Sequence, residues 1–152
     1  SPFNAYQILQ GIETLALRTE RSCDNALIIA QALNDNKFAK NVRYPGLMND
    51  KYHAQASSYL KNGYGSVITF EPLGGYSAAE KIIENVSIFI HAANIGDSKS
   101  LILHPASTTH YQLSKEEKCD AGVSESMIRL SIGIEDHNDL RDDLLRALEI
   151  AH

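Results

Sequence analysis

The chain has 152 residues, of which 43% are hydrophobic and 22% are charged, and such a length and composition are typical of one folded domain with a single core. Its formal net charge is −5 and its basic residues are spread along the chain, so neither nucleic acid nor an anionic membrane is expected as a partner. No apolar run approaches the roughly 20 residues that span a bilayer, and the first residues lack a signal-like pattern, which favours a cytoplasmic protein.

The first third of the chain is dominated by a helical pattern. Apolar residues recur at helical spacing from about residue 4 to residue 34, without an interior proline, and predict one long or gently broken helix. The apolar–polar pattern of Asn41 to Pro45 then predicts a short strand, and Asp50 to Leu60 are expected to form a helix.

The middle of the chain contains one strong strand pattern and two helix-start signals. Ser66 to Glu71 are rich in β-forming residues and predict a strand. Ser77 with Glu80, and Ser114 with Glu117, have the spacing of capping boxes, which satisfy free amides where a helix begins. The apolar face predicted for the first of these helices comprises Ile82, Val86 and Ile90.

The end of the chain predicts two strands and a terminal helix. Ser100 to Leu103 form a short strand candidate. In Met127 to Ser131 apolar and polar residues alternate, so that Ile128 and Leu130 face the core and Arg129 points away from it. Asp136 to Ala151 predict an amphipathic helix.

These elements predict a single α/β domain of two layers, because strands and helices alternate without an internal repeat or a flexible linker. Cys23 and Cys119 have no second cysteine nearby. Two separate reduced thiols are typical of a cytosolic protein.

Arg129 is the residue with the clearest binding potential. A strand arginine taken alone is more often a solvated surface residue than part of a site. Here, however, two polar stretches, Asn94 to Leu101 and His104 to His110, lie between the apolar segments that precede it. A planar guanidinium beside amide and hydroxyl groups suits a carboxylate, which accepts two parallel hydrogen bonds from it. Amino-acid substrates carry such a carboxylate.

Other kinds of site are less well supported by the residues. His104 and His110 do not have a helical metal-ligand spacing, and no cysteine or carboxylate joins them. The glycine pair at 74–75 belongs to neither phosphate-binding motif and is better explained as a tight turn. Ser107 and Thr108 lack the nucleophile elbow and the acidic partner of a hydrolase.

Several segments carry a family resemblance. They are Ser1 to Ala5, Gln10 to Leu15 with Arg18, His104 to His110, and Met127 to Asp136. Together they resemble the Cys/Met-metabolism pyridoxal-phosphate enzymes of fold type I. The resemblance implies that residues 1–152 are a C-terminal domain with a small, mostly antiparallel sheet covered by helices. It also implies that residues from about 4 to 34 connect this domain to a preceding large domain. The missing initial methionine fits a piece excised from such a longer chain.

The resemblance also implies roles for individual residues. Arg129 would bind the substrate α-carboxylate, assisted by Asn94 and Thr109. None of the lysines has the sequence context of the family's Schiff-base lysine, which belongs to the preceding domain with most contacts to pyridoxal phosphate. The chain is therefore expected to contain no catalytic residue and to be inactive alone, and its cofactor-binding residues stay unassigned.

Asn94, followed by isoleucine and glycine, is similar to the sulfhydrylase branch of the family, whereas the other branches resemble Ser-Leu-Gly here. A full-length sulfhydrylase would be a transferase of methionine biosynthesis, converting O-acetylhomoserine and sulfide, or methanethiol, to homocysteine, or methionine, and acetate. It would be a homo-oligomer, expected to be a tetramer. The alternatives are a cystathionine γ-synthase or methionine γ-lyase, or a non-catalytic binding or assembly module. The sequence leaves open the acyl group and the preferred thiol.

Overall fold

The computed structural model describes residues 1–152, with six α-helices and five β-strands interspersed along the chain. The helices are α1 (Pro2–Glu13), α2 (Leu15–Asn34), α3 (His53–Tyr59), α4 (Gly75–Asn85), α5 (Lys115–Asp120) and α6 (His137–Ala151). The strands are β1 (Ala39–Arg43), β2 (Val67–Pro72), β3 (Ile90–His91), β4 (Leu101–Leu103) and β5 (Ile128–Ser131). The predicted α/β class is confirmed. None of the helices has both the length and the apolar character required to cross a membrane.

The five strands form one sheet in the order β1-β2-β5-β4-β3. Neighbouring strands run antiparallel except β3 and β4, which are parallel, so the expected mostly antiparallel sheet is confirmed. β5, the last strand in the sequence, lies at the centre of the sheet between β2 and β4. Arg129 is therefore a residue of the central strand.

One face of the sheet is covered by α2, α4 and α6. Ile68 and Phe70 of β2 and Ile128 and Leu130 of β5 are fully buried in the core between these layers. Burying each such side chain contributes about 1.5–3 kcal/mol relative to leaving it exposed. Because successive strand residues point to opposite faces, Arg129 lies on the other face, as the alternation predicts.

The predicted N-terminal helix is broken into two at Thr14, in agreement with the gently broken alternative. Arg18 spans the break, donating hydrogen bonds to the carbonyl of Gly11 at 2.7 Å and to Thr14 Oγ1 at 3.3 Å. α2 has six buried residues, whereas α1 has none. The first helix is consequently an exposed apolar element on an otherwise well-packed domain.

The capping box predicted at Ser77 is wrong. α4 begins at Gly75, with Gly74 in the N-cap position and no side-chain cap. Gly75 has φ +68°, a left-handed conformation that glycine adopts without strain, so the glycine pair turns the chain directly into the helix. Ser77 thus lies within the first turn, where a residue with helical geometry does not act as an N-cap.

The predicted helix face that extends to Ile90 is also wrong beyond Asn85. Asp143 of α6 accepts hydrogen bonds from the amides of Ser87 and Ile88, each at 2.9 Å. These long-range bonds hold the chain in an extended path after α4. Ile90 therefore belongs to β3 rather than to the helix.

The second capping box is confirmed at the start of α5. The Ser114 hydroxyl accepts from the Glu117 amide at 3.2 Å, and the Glu117 carboxylate accepts from the Ser114 amide at 2.8 Å. The last helix begins as expected after Asp136, whose carboxylate accepts from the amide of Asn138 at 2.8 Å. Local capping signals are thus correct at the starts of α5 and α6, whereas at Ser77 the preceding glycine pair overrides the signal.

β1 lies at 39–43 rather than at Asn41 to Pro45, and the helix predicted over Asp50 to Leu60 is confined to α3. Asn41 has φ +51° where the register with β2 is interrupted, which is the geometry of a bulge in an edge strand. Asp50 precedes the helix and pairs instead with Arg43.

The pair of Arg43 and Asp50 makes a contribution to stability that depends on pH. Arg43 Nε donates to Asp50 Oδ2 at 2.9 Å, and the Tyr52 amide donates to Oδ1 at 2.8 Å. Burial raises the pKa of Asp50, but the hydrogen bonds from Arg43 and Tyr52 outweigh burial and hold this pKa below its ordinary value. A carboxyl with a lowered folded-state pKa stabilises the fold above its unfolded pKa of about 3.9. This contribution is lost as the pH falls through the folded-state pKa.

We expect Asp50→Asn to lower the free energy of unfolding by about 1–2 kcal/mol at pH 7, because charge-assisted hydrogen bonds become neutral ones. The difference from the unsubstituted chain should shrink below about pH 4, as measured by urea unfolding at several pH values. Asp120→Asn, on an exposed position of α5, is the matched control and should change little. An equal loss at pH 7 and at pH 3 would contradict the assigned role of the carboxylate.

Candidate functional site

A row of paired residues crosses the face of the sheet opposite the helices. The register pairs Arg43 with Thr69, Thr69 with Arg129, and Arg129 with Leu103. Directly opposite residues of adjacent strands point to the same face, so both arginines lie on this open face with Thr69 between them. Strands lie about 4.8 Å apart, which places the two arginine backbones roughly 10 Å apart.

The two arginines of the row differ in their partners. Arg43 is paired with Asp50, whose side chain is 1% exposed. Arg129 is half-buried and forms no ion pair, and its hydrogen bond within the chain runs from Nη2 to the backbone carbonyl of Asn94, at a long 3.4 Å. A guanidinium has five N–H donors. Arg129 therefore keeps donors and an uncompensated positive charge for an external anion, and its planar shape suits a carboxylate.

Asn94 lies in an exposed loop between β3 and β4 that Asp97 organises. The Asp97 carboxylate accepts from the Lys99 amide at 3.1 Å and from the Asn94 side-chain amide at 3.3 Å. The hydrogen bond from the Lys99 amide holds the pKa of Asp97 below its ordinary value. Asn94 Oδ1 accepts from the amide of the next residue at 2.9 Å. The Asn94 side chain is thus engaged within its own loop, and the backbone carbonyl of Asn94 reaches Arg129.

Thr109 lies in the segment that leaves β4 beside Arg129, since Leu103 is both the last residue of β4 and the register partner of Arg129. The Thr109 side chain is exposed, and its hydroxyl bonds with the ring of His110 at 2.8 Å. The structure brings Arg129 and Asn94 together. It leaves Thr109 on the adjoining loop without a hydrogen bond to either of them.

His104 holds the start of this loop in place. Its ring is 2% exposed, with Nδ1 at 2.8 Å from the Ser107 hydroxyl and Nε2 at 2.8 Å from the Glu125 carbonyl. Because a carbonyl only accepts, Nε2 donates to it, and in the neutral ring Nδ1 accepts from Ser107. Both ring nitrogens are engaged, and no group of His, Cys, Asp and Glu is arranged to hold a metal ion.

A family model described as "Cys/Met metabolism PLP-dependent enzyme" matches residues 1–149. The chain belongs to this family. Pyridoxal phosphate, abbreviated PLP, is accordingly the cofactor of the family, and the resemblance of the sequence segments is confirmed.

Three similar relatives are named as sulfhydrylases or as a homocysteine synthase. The chain is 49% identical over 150 residues to the O-acetyl-L-homoserine sulfhydrylase of Leptospira meyeri, covering 98% of this chain and 34% of that protein. It is 46% identical over 147 residues to the O-acetyl-L-homoserine sulfhydrylase 1 of Thermus thermophilus, covering 97% and 35%. It is 42% identical over 151 residues to the homocysteine synthase of Schizosaccharomyces pombe, covering 99% and 35%. The chain thus spans about a third of the length of these relatives.

Solved structures agree with this placement. A putative O-acetylhomoserine (thiol)-lyase from Campylobacter jejuni, whose structure contains pyridoxyl-lysine phosphate, matches with a TM-score of 0.93 and 46% identity. The match covers 98% of this chain and 35% of that one. A cystathionine γ-synthase from Xanthomonas oryzae in complex with cystathionine matches with a TM-score of 0.91 and 37% identity, covering 99% of this chain and 39% of that one.

The residues of this chain do not by themselves fit the cofactor. A pyridoxal-phosphate site needs a lysine together with a charged partner for the pyridine nitrogen. The one cleft lined by lysines, of about 340 Å³, contains Lys115, Lys118 and Glu125, but the Glu125 carboxylate faces Lys118 and so is not free to pair with a pyridine nitrogen. Lys118 Nζ is 3.9 Å from a carboxylate oxygen of Glu125, and the remaining lysines are exposed. No chemical step is therefore assigned to a cofactor held by these residues alone.

Some residues that support the site are not evident from the sequence. Asp97 follows Asn94 by three residues in a polar loop, a pattern typical of turns that offers a weak signal. Ser100 and Glu135 are joined by hydrogen bonds across 35 positions, and no local pattern predicts such a contact. Their position follows from the pairing of β4 with β5.

Proposed function

We propose that the chain is the substrate-binding C-terminal domain of an O-acetylhomoserine sulfhydrylase. The complete enzyme replaces the acetate of O-acetylhomoserine by sulfide, or by methanethiol, and yields homocysteine, or methionine. Pyridoxal phosphate supplies the electron sink for this exchange when bound. The proposal is supported by relatives that are sulfhydrylases or homocysteine synthases at 42–49% identity over nearly the whole chain.

The observation that carries the role of this chain is the uncompensated charge of Arg129 on the open face of the sheet. Its guanidinium binds the α-carboxylate of the amino-acid substrate and so orients the rest of that molecule. Asn94 supports the guanidinium through its carbonyl, and Thr109 contributes a hydroxyl from the adjoining loop. For Thr109 to contribute in this way, its hydroxyl must break the hydrogen bond with the ring of His110.

We also infer that residues from about 4 to 34 join this domain to the rest of the complete protein, with α1 buried against it. α1 carries large apolar side chains that are all more than half exposed: Phe3, Tyr6, Ile8, Leu9 and Ile12. A concentration of exposed large apolar side chains on one helix is typical of an interface. The relatives are about three times as long as this chain, so the rest of a complete protein of that length would supply the surface that buries α1.

Leu9→Gln tests the inferred burial of α1. Glutamine forms helices nearly as well as leucine, so the substitution chiefly removes an apolar side chain. Leu9 is 60% exposed in this chain, and we expect a change in the free energy of unfolding within about 0.5 kcal/mol. In the complete protein the same substitution should cost about 1.5–3 kcal/mol. Chemical denaturation of both proteins measures the contrast, and equal effects would refute the burial.

The complete enzyme is inferred to be a homo-oligomer, a tetramer, in the cytoplasm. The unpaired thiols of Cys23 and Cys119 support a reducing compartment. The family resemblance supports the oligomer, and light scattering of the complete protein would measure its mass.

A cystathionine γ-synthase is the second candidate, because such an enzyme from Xanthomonas oryzae shares the fold of this chain at a TM-score of 0.91. The two reactions use different thiols. Assays of the complete protein with sulfide, methanethiol and cysteine as competing nucleophiles distinguish them, since cystathionine forms only from cysteine.

The deciding experiment compares this chain with the complete protein. Each is titrated with pyridoxal phosphate, reduced with borohydride to trap any lysine adduct, and assayed for homocysteine from O-acetylhomoserine and sulfide. We expect the complete protein to form the adduct and to turn over, and this chain to do neither. An adduct and turnover with this chain alone would refute its role as a substrate-side domain. A complete protein that is inactive would instead support a non-catalytic binding or assembly module.

A further inference from the structure

A compact set of hydrogen bonds among Ser100, Gly133 and Glu135, called the latch below, lies at the end of the loop that contains Asn94. Ser100, which is fully buried, ends this loop and precedes β4. Its amide donates to Glu135 Oε1 at 2.7 Å, and its hydroxyl donates to Glu135 Oε2 at 2.8 Å. The same hydroxyl accepts from the amide of Gly133 at 2.8 Å. Both oxygens of one carboxylate are thus used to hold one residue of the loop.

The turn after β5 approaches the loop too closely for any side chain at Gly133. A Cβ atom there would collide with the carbonyl of Ser98 and would lie 2.5 Å from the Glu135 carboxylate. The amide of Ile134 donates to the same Ser98 carbonyl at 3.0 Å. The loop and the turn are therefore fixed to each other by backbone as well as by side-chain bonds.

The latch is anchored to the body of the domain. The carbonyl of Glu135 accepts from Nδ2 of Asn25 at 2.8 Å, and Nδ2 also donates to the Gly133 carbonyl at 3.1 Å. Asn25 is 1% exposed and belongs to α2, which packs on the sheet. Through these bonds a core helix determines where the turn lies, and the turn determines where the loop ends.

The far end of the same loop meets the candidate site. Asn94 is exposed and is held only by Asp97 and by its bond from Arg129. β5 carries Arg129 and leads directly into the turn that carries Glu135. The latch consequently holds the Asn94 carbonyl and the Arg129 guanidinium in a fixed relative position. If the loop were released at Ser100, this alignment would be lost.

We propose that Glu135 is a positioning residue for carboxylate binding by Arg129 and Asn94, an inference that rests on the proposed function. Glu135 does not touch the substrate. It holds the Asn94 loop at the distance at which the Asn94 carbonyl directs the guanidinium, so that two donors of Arg129 point at the substrate carboxylate. The neighbouring Asp136 caps α6, and Glu135 is left free for the loop.

The test uses Glu135→Gln and Ser100→Ala in the complete protein with O-acetyl-L-homoserine as the varied substrate. Glutamine keeps the size of the side chain but turns an amide donor towards a donor of Ser100. We expect KM to rise about tenfold in Glu135→Gln and somewhat less in Ser100→Ala. Each substitution removes about one charge-assisted hydrogen bond that keeps the loop aligned with Arg129. The value of kcat and the absorbance of the bound cofactor should stay within about twofold. Glu149→Gln, on an exposed position of α6, is the matched control and should change neither constant.

A double-substitution cycle separates positioning from a general loosening of the fold. In an Arg129→Ala background, Glu135→Gln should add no further rise in KM, because the group that it positions is gone. An unchanged KM in both single variants, a fall in kcat without a rise in KM, or fully additive effects would each overturn the proposal. If Arg129→Ala itself leaves KM unchanged, the proposed carboxylate site fails. If Arg129→Ala raises KM and Glu135→Gln does not, only the latch is wrong.

Discussion

Replacing Arg129 by alanine in the complete protein is expected to lower kcat/KM for O-acetyl-L-homoserine by about 10²–10⁴-fold. A hydrogen bond to a charged group contributes about 1.5–3 kcal/mol, and a bidentate carboxylate loses two of them, or about 3–6 kcal/mol. Each 1.4 kcal/mol is about a tenfold change. Steady-state kinetics with saturating sulfide measures the loss, which should fall chiefly on KM if substrate dissociates faster than it reacts.

Two further variants refine this prediction. Arg129→Lys keeps the charge but loses the planar fork, so we expect a loss of about 10–100-fold rather than a full recovery. Arg141→Ala removes a surface arginine that is paired with its neighbour Asp142 and should leave kcat/KM unchanged. A decrease of less than about threefold in Arg129→Ala would show that the substrate carboxylate is bound elsewhere.

The sequence predicts some residues of the candidate site and not others. The alternation in 127–131 is sufficient to turn Arg129 away from the core, because strand periodicity is a local property of the backbone. The contact of Arg129 with Asn94 is a tertiary one, 35 residues apart, and only the family resemblance pointed to it. The part played by Glu135 has no signal in the sequence, since it depends on how the turn after β5 meets the loop before β4.

The same distinction explains the differences in the fold. Ser114 caps α5 as predicted because its partner Glu117 is three residues away. Ser77 has the same spacing to its glutamate, yet the glycine at 75 starts the helix earlier, and Asp143 of another helix ends it before Ile90. A capping pattern therefore fails where a nearby glycine starts the helix earlier, and a helical pattern ends where a distant carboxylate offers the backbone better partners.

Leu130→Ala should cause a large loss of stability in this chain. Leu130 is fully buried in the central strand, and its register partners Ile68 and Ile102 are fully buried too. Truncation leaves a cavity that three packed strands and the covering helices cannot close without moving together. We expect the free energy of unfolding to fall by about 2–5 kcal/mol, a large part of the roughly 5–15 kcal/mol that stabilises a typical domain.

Urea unfolding of this chain measures that loss, with Leu17→Ala as the matched control. Leu17 is 69% exposed on α2, and alanine is at least as good a helix former, so the control should change stability by no more than about 0.5 kcal/mol. A cost below about 1 kcal/mol for Leu130→Ala would mean that β5 is not clamped between β2 and β4. The carboxylate site would then lack its rigid support, because the strand that buries Leu130 on one face presents Arg129 on the other.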